Sequence, residues 1–144
     1  MAHAENEITI GRPADEVYAF LADGLNNTKW RPGVLGIELA GGVAGTEGAV
    51  YRQTLAGPRG RPIQGDYRIT VADPGHILRF QVIAGPARPE GSYLLTQSQD
   101  GTKVRFILDL RPKGLMKVLD GLVAKTMQSE VGQLAKLKEA IEAS

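Results

Sequence analysis

Hydrophobic positions recur along this chain with two different periods, and the change of period separates a sheet-forming part from a helix-forming part. Over residues 113–143 the period is helical. Leu115, Met116, Leu119, Leu122, Val123, Met127, Leu134, Leu137 and Ile141 fall on one arc, with Lys113, Lys117, Asp120, Lys125, Gln128, Lys136, Lys138, Glu139 and Glu142 opposite. The spacing predicts one amphipathic helix of about 45 Å. Its stripe is too wide for a coiled-coil seam and too charged behind for a membrane span, so it requires a broad apolar surface to lie against. Gly121 and Gly132 project to the polar side. Each costs about 1 kcal/mol relative to Ala, and a bend near Gly121 is expected.

The preceding residues supply that surface with period two. Ile8 and Ile10 mark a first strand over 5–10, ended by Gly11-Arg12. Pro13 opens a helix with Asp15 and Glu16 in its first turn and Val17, Phe20 and Leu21 as its buried stripe. Asp23-Gly24 stops it, and residues 25–30 form a second short helical turn that Arg31-Pro32-Gly33 closes. Six further strands follow, with alternating inner residues Leu35, Ile37, Leu39; Tyr51, Gln53, Leu55; Tyr67, Ile69, Val71; Leu78, Phe80, Val82; Tyr93, Leu95, Gln97; and Val104, Phe106, Leu108, Leu110. Gly- and Pro-rich breaks of hairpin type separate them. The opposite faces carry Arg52, Arg68, Thr70, Arg79, Gln81, Lys103, Arg105 and Asp109, as expected of an antiparallel sheet wet on one side. Strand, two short helices, six strands and a long helix make an α+β layer arrangement with seven antiparallel strands.

Several local stretches carry a resemblance that covers nearly the whole chain. They are residues 13–21 (Pro-Ala-Asp-Glu-Val-Tyr-Ala-Phe-Leu), the exit Trp30-Arg31-Pro32-Gly33, the stretch 85–93 (Gly-Pro-Ala-Arg-Pro-Glu-Gly-Ser-Tyr) and Gly101-Thr102-Lys103-Val104. In this order and spacing the chain resembles the START-related helix-grip superfamily, also called SRPBCC, in its polyketide cyclase/dehydrase and lipid-transport branch. The resemblance implies a helix-grip fold over 1–144, a single domain whose sheet wraps around the long C-terminal helix. It also implies a cavity between the two, more than it implies any one reaction.

Polar residues interrupt the faces that have to pack. Glu130 sits near the middle of the helical apolar arc, with Thr126 one turn before it. Tyr51, Gln53, Tyr67, Tyr93 and Gln97 stand on the helix-facing side of the sheet, where phenols and amides need partners or water. An apolar pocket with a few polar anchors is the usual make-up of a small-molecule site. The expected lining is Trp30, Tyr51, Gln53, Tyr67, Phe80, Tyr93, Gln97, Phe106, Val123, Thr126, Met127 and Glu130, with Arg88 at the mouth on a loop stiffened by two prolines. The plainer alternatives are tyrosines whose hydroxyls reach solvent at the rim, and a Glu130 that pairs with a cation. Desolvation disfavours the charged form of Glu130 unless a cation such as Arg12 or Arg31 reaches it.

Charge and residue usage narrow the chemistry. Seventeen basic against sixteen acidic residues give no bulk electrostatic case for nucleic acid or an anionic membrane. Cysteine is absent, which removes disulfides, thiolate metal sites and cysteine nucleophiles. Of the two histidines, His3 is expected in a loose terminus and His76 in a turn, so neither a transition-metal site nor a Ser-His-Asp arrangement is expected. Residues 41–48 lack the helix and lysine of a phosphate loop and read as a hairpin connection. With no apolar leader and no membrane-length apolar run, the expectation is a cytoplasmic protein without stable membrane insertion. No cofactor is implied. The leading reading is a carrier for a small hydrophobic molecule, whether lipid, isoprenoid or polyketide-like, as monomer or homodimer. The alternatives are a cyclase or dehydratase with Glu130 as acid/base and Tyr51 or Tyr93 polarising a carbonyl, and a protein-interaction module.

Overall fold

The computed structural model describes residues 2–85, 87–110 and 120–143, with side chains excepted at positions 58 and 120–124. The elements are β1 (Ala2–Ile10), α1 (Ala14–Ala22), a 3-10 turn (Gly24–Lys29), β2 (Val34–Gly41), β3 (Val50–Ala56), β4 (Pro62–Gln64), β5 (Tyr67–Asp73), β6 (Ile77–Val82), β7 (Glu90–Ser98), β8 (Gly101–Leu110), α2 (Asp120–Val131) and α3 (Leu134–Glu142). All strand pairs are antiparallel, in the order β1-β8-β7-β6-β5-β3-β2, with short β4 added to the far end of β3. Strand β4 is the eighth; its three residues lie in a Pro/Gly-rich stretch that period two reads as loop.

The register explains the inner face. Tyr51 faces Tyr67 across β3 and β5, Leu78 faces Tyr93 across β6 and β7, and Tyr93 faces Phe106 across β7 and β8, so the buried side chains share one surface. Onto it pack Val17, Tyr18 and Leu21 of α1 and Met127, Val131, Leu134, Leu137 and Ile141 of the C-terminal helices. Helix α2 lies against β1 and β8, and α3 against β1. No helix among the described residues is long and apolar enough to cross a membrane.

Four features depart from the pattern-based expectation. The N-terminus is not loose: β1 pairs with β8 from Ala2↔Leu110 to Ile10↔Thr102. Buried Ala2 and Ala4 alternate there with outward His3 and Glu5, an alternation too small in apolar volume to read as strand. The C-terminal helix is interrupted at Gly132-Gln133, and the bend expected near Gly121 would involve residues outside the described ones. Gln133 N–H donates back only three residues, to Glu130 O at 3.1 Å, and the Val131 carbonyl accepts from Asn6 Nδ2 at 3.2 Å. A glycine is where such a break costs least. The start of the expected helix, with Leu115, Met116 and Leu119, lies outside the described residues. On β2, register shifts at Val34/Gly36 and Leu39/Gly41 turn the edge strand, leaving Leu35 and Leu39 exposed. On α1 it is Tyr18 that is buried, while Phe20 is partly exposed with Lys29 Nζ 5.9 Å from its ring centre.

Candidate functional site

Five consecutive strands each place one aromatic ring on the inner face, and the rings form a continuous row. Tyr51 stacks on Tyr67 with centroids 5.2 Å apart, Tyr67 meets Phe80 at 5.2 Å, Phe80 meets Tyr93 at 6.0 Å, and Tyr93 stacks on Phe106 at 4.4 Å. Trp30 stands edge-on to Tyr93 and Phe106 at 6.4 and 6.3 Å, which closes the row from the loop side. Such pairs contribute about 0.5–1.5 kcal/mol each beyond burial. Two glycines make the row possible. A Cβ on Gly91 would overlap the Phe80 ring, and one on Gly24 would overlap Tyr67 and Tyr51.

The polar groups of this face are met by the segment that crosses above it. Asn27 Nδ2 donates to Gln53 Oε1 and to the Tyr67 hydroxyl, both at 3.0 Å. Gln53 Nε2 donates to Gly65 O at 3.2 Å. The Tyr51 hydroxyl accepts from Gly45 N–H at 3.0 Å and donates to Ala22 O at 3.5 Å. The Gln53 amide and the Tyr51 and Tyr67 phenols are thus anchored to backbone and to one asparagine.

Glu130 is reached by Arg31, one of the two cations named for it; Arg12 instead lies 3.5 Å from Glu16 and donates to Glu142 O. Arg31 Nε and Nη2 donate to the same oxygen, Glu130 Oε2, at 3.2 and 3.1 Å, with side-chain exposures of 9% and 22%. Burial works against the guanidinium charge, yet the adjacent Glu130 carboxylate, with smaller help from Tyr93 and Tyr67, lifts its pKa above the ordinary value. Burial likewise pushes the Tyr67 and Tyr93 hydroxyls far above the usual phenol range, so both stay protonated. Beside the pair lies an internal void of about 10 Å³, roughly one water in size. Leu21, Ala22, Asn27 and Arg31 form its roof, and Tyr67, Ile69, Leu78, Phe80 and Tyr93 its floor.

The structure therefore brings together Trp30, Tyr51, Gln53, Tyr67, Phe80, Tyr93 and Phe106, with Glu130 joined to them through Arg31; Met127 is buried in the same core. Others are placed apart. Gln97 is exposed, and its Oε1 accepts from Ala14 N–H at 2.8 Å, capping α1. Arg88 is exposed on its loop, where Nε donates to Gly85 O at 3.3 Å, and Thr126 is exposed on α2. The Val123 side chain lies outside the described residues. Asn27 and Arg31 are the lining residues that period-based reading does not single out as site groups. An open groove of about 390 Å³ separates Lys29, Trp30 and Pro32 from Lys136 and Glu139 of α3, so Trp30 is a wall between outside and the row. Among the described residues no group of three or more His, Asp or Glu is arranged to hold a metal ion.

Comparison with known proteins gives one family and one fold. The model of the family described as polyketide cyclase / dehydrase and lipid transport matches residues 1–142. No curated protein matches the chain. Among solved structures, TTHA0849 of Thermus thermophilus is 22% identical with a TM-score of 0.80, over 98% of this chain and 97% of that one. A START superfamily protein of Mycobacterium smegmatis is 14% identical with a TM-score of 0.81, over 99% of each chain. Ara h 8.0201 is 19% identical with a TM-score of 0.76, over 99% of this chain and 98% of that one. At these identities the likeness is one of fold: the helix-grip arrangement of an antiparallel sheet and a C-terminal helix.

Proposed function

The chain belongs to the polyketide cyclase / dehydrase and lipid transport family, and on that premise we propose that it is a carrier enclosing a small hydrophobic molecule between its sheet and its C-terminal helix. The observation that carries this reading is the aromatic row. Five rings across five strands make a continuous, polarisable apolar layer beneath the helices, against which an apolar body can pack, and the buried polar groups beside them can orient one end of it. The ligand is lipid, isoprenoid or polyketide-like. The outer groove at Trp30 supports an approach from the side of the 24–33 segment. Turnover in the same space is the second reading. The specific observation bearing on it is that Glu130, its candidate acid/base, accepts both of its hydrogen bonds from Arg31 on one oxygen.

Binding is tested with 1-anilinonaphthalene-8-sulfonate, followed by quenching of the sole tryptophan, Trp30, and by competition with dodecanoate, farnesol and a flavone. The carrier reading expects saturable one-to-one binding and displacement by at least one competitor. Absence of saturable binding for the dye and all three competitors would overturn it.

A further inference from the structure

Charge is spread unevenly over a chain whose total nearly balances. Residues 50–89 hold six arginines, Arg52, Arg59, Arg61, Arg68, Arg79 and Arg88, with no lysine and two acids, Asp66 and Asp73. The rest of the chain holds eleven basic and fourteen acidic residues. All six arginines are exposed, and among the described residues only Arg52 of the six has an ion pair, with Glu38. The two acids do not answer the others: Asp66 Oδ1 accepts from Gln53 N–H at 3.1 Å, and Asp73 closes β5 at the far end of the sheet from the loop arginines. On β1 and β8, by contrast, Glu5 and Glu7 meet Arg105 and Lys103.

The fold gathers the six at one corner. Strands β3 and β6 are each antiparallel to β5, so the connections that follow them, 57–61 and 83–89, leave the sheet at the same end. The two stretches touch there, since a Cβ on Gly85 would overlap the Gln64 carbonyl just beyond the first connection. Arg59 and Arg61 stand on the first, which is tied to itself by Gly57 N–H to Arg61 O at 2.7 Å and Gly60 N–H to Gly57 O at 2.9 Å. Arg88 stands on the second, held by Gln81 Nε2 donating to Arg88 O at 2.9 Å. Arg68 lies opposite Val50 on one side and Gln81 on the other, which makes Arg52 and Arg79 its diagonal neighbours on the outer face. Leu35, 53% exposed, lies near the start of β2 at the same end, where Val34 pairs with Leu55.

We propose that this corner docks on an anionic phospholipid surface, with Arg59, Arg61 and Arg88 on headgroup phosphates, Leu35 in the layer beneath, and Arg52, Arg68 and Arg79 adding attraction from the outer face. Arginine suits that partner because its planar fork bonds two phosphate oxygens at once. An exposed leucine beside cations is the pairing that a lipid interface rewards and that a folded acidic protein or a nucleic acid does not require. Docking of this kind is peripheral and depends on where the arginines stand, not on the net charge of the chain. It goes beyond the carrier reading, since it asks nothing of the interior.

Flotation of the intact protein with phosphatidylcholine vesicles, with and without about one quarter phosphatidylglycerol, tests the proposal. The anionic vesicles are expected to bind at least tenfold more tightly, and raising NaCl from about 0.05 M to about 0.5 M should remove most of that preference. Each arginine near the surface is worth about fivefold, so Arg59→Gln/Arg61→Gln should lose at least tenfold. Lys103→Gln/Arg105→Gln removes the same charge from the other side of the sheet and should stay within about threefold of wild type. Leu35→Ser, as a further variant, should weaken binding to the anionic vesicles at both salt concentrations. Equal binding to both vesicle types, or to neither, would overturn the proposal. Equal losses in the two double variants would overturn the placement at this corner. Binding of polyuridylate or polyglutamate without binding of anionic vesicles would overturn the lipid assignment in favour of a nucleic acid or an acidic protein. Each of these results leaves the carrier reading standing.

Discussion

The two faces of this one sheet use charge in opposite ways. On the outer face Glu5 pairs with Arg105 at 2.6 Å, Glu7 with Lys103 at 3.8 Å, and Glu38 with Arg52, all on side chains about half exposed. On the inner side the Arg31–Glu130 pair is mostly buried among rings. Water and salt screen the outer pairs, which therefore contribute little. The inner pair has lost most of its hydration, so either partner alone is a liability. The difference teaches where polar groups carry specificity in this fold: on the face that water does not reach, where each donor has to be matched.

The contrast can be broken most severely by taking away what shields the inner face. Deleting residues 134–144 removes Leu134, Leu137 and Ile141, all nearly inaccessible, together with the tie of Arg12 to Glu142 O. Cooperative thermal unfolding, followed by circular dichroism, should then be lost. An unchanged transition would mean that the helix does not organise the core. Next in size is Phe106→Ala. The ring is fully buried between Tyr93 and Trp30, and the substitution should cost about 3–5 kcal/mol in urea denaturation.

The charge pairs sharpen the comparison directly. Arg31→Met leaves Glu130 unpaired in a mostly buried site. Because that carboxylate keeps about a fifth of its exposure, the expected loss is about 2–3 kcal/mol, below the range for wholly buried pairs. Removing both partners in Arg31→Met/Glu130→Leu should recover most of it. Arg52→Ala on the outer face should cost under about 1 kcal/mol. Comparable losses for Arg31→Met and Arg52→Ala would erase the distinction between the faces.

The smallest expected effect is a pH dependence of the outer face. The Asp109 carboxylate hydrogen-bonded to His3 raises the His3 pKa; burial opposes it, and the nearby Glu5 adds a smaller rise, so the net direction is upward. A raised folded value means that the contribution is complete below the unfolded histidine pKa of about 6.5 and is lost as pH rises through the folded value. The melting temperature should therefore fall slightly between pH 5.5 and 8, and Asp109→Asn should flatten that slope. A slope that persists in the variant would assign it elsewhere.

The sheet was legible because alternation is a property of single positions: Tyr51, Tyr67, Phe80, Tyr93 and Phe106 each stand at inner steps of their strands, whatever the strands do next. Their contiguity was not. It depends on register, which turns and the glycines at 24 and 91 set jointly. Glu130 could be seen as an anomaly on a helical face, but its partner Arg31 sits in a loop without period, and Asn27 in a 3-10 turn too short to show one. Both residues reach the site through the path of the chain above the sheet, which no spacing encodes. The break at Gly132 was hidden for a related reason: Gly121 and Gly132 carry the same propensity, and a side chain from β1, Asn6, takes the carbonyl beside only one of them. Gln97 shows the converse case, an inner-face residue by alternation that the end of its strand directs to the α1 N-terminus.

The central claim is that the inner face encloses a small hydrophobic molecule, and native mass spectrometry of freshly purified protein tests it most directly. The spectrum should show the 15.4 kDa chain carrying one small molecule whose mass is lost on denaturation, or taking one up after incubation with dodecanoate, farnesol and a flavone. A chain that remains at its bare mass before and after that incubation would contradict the account.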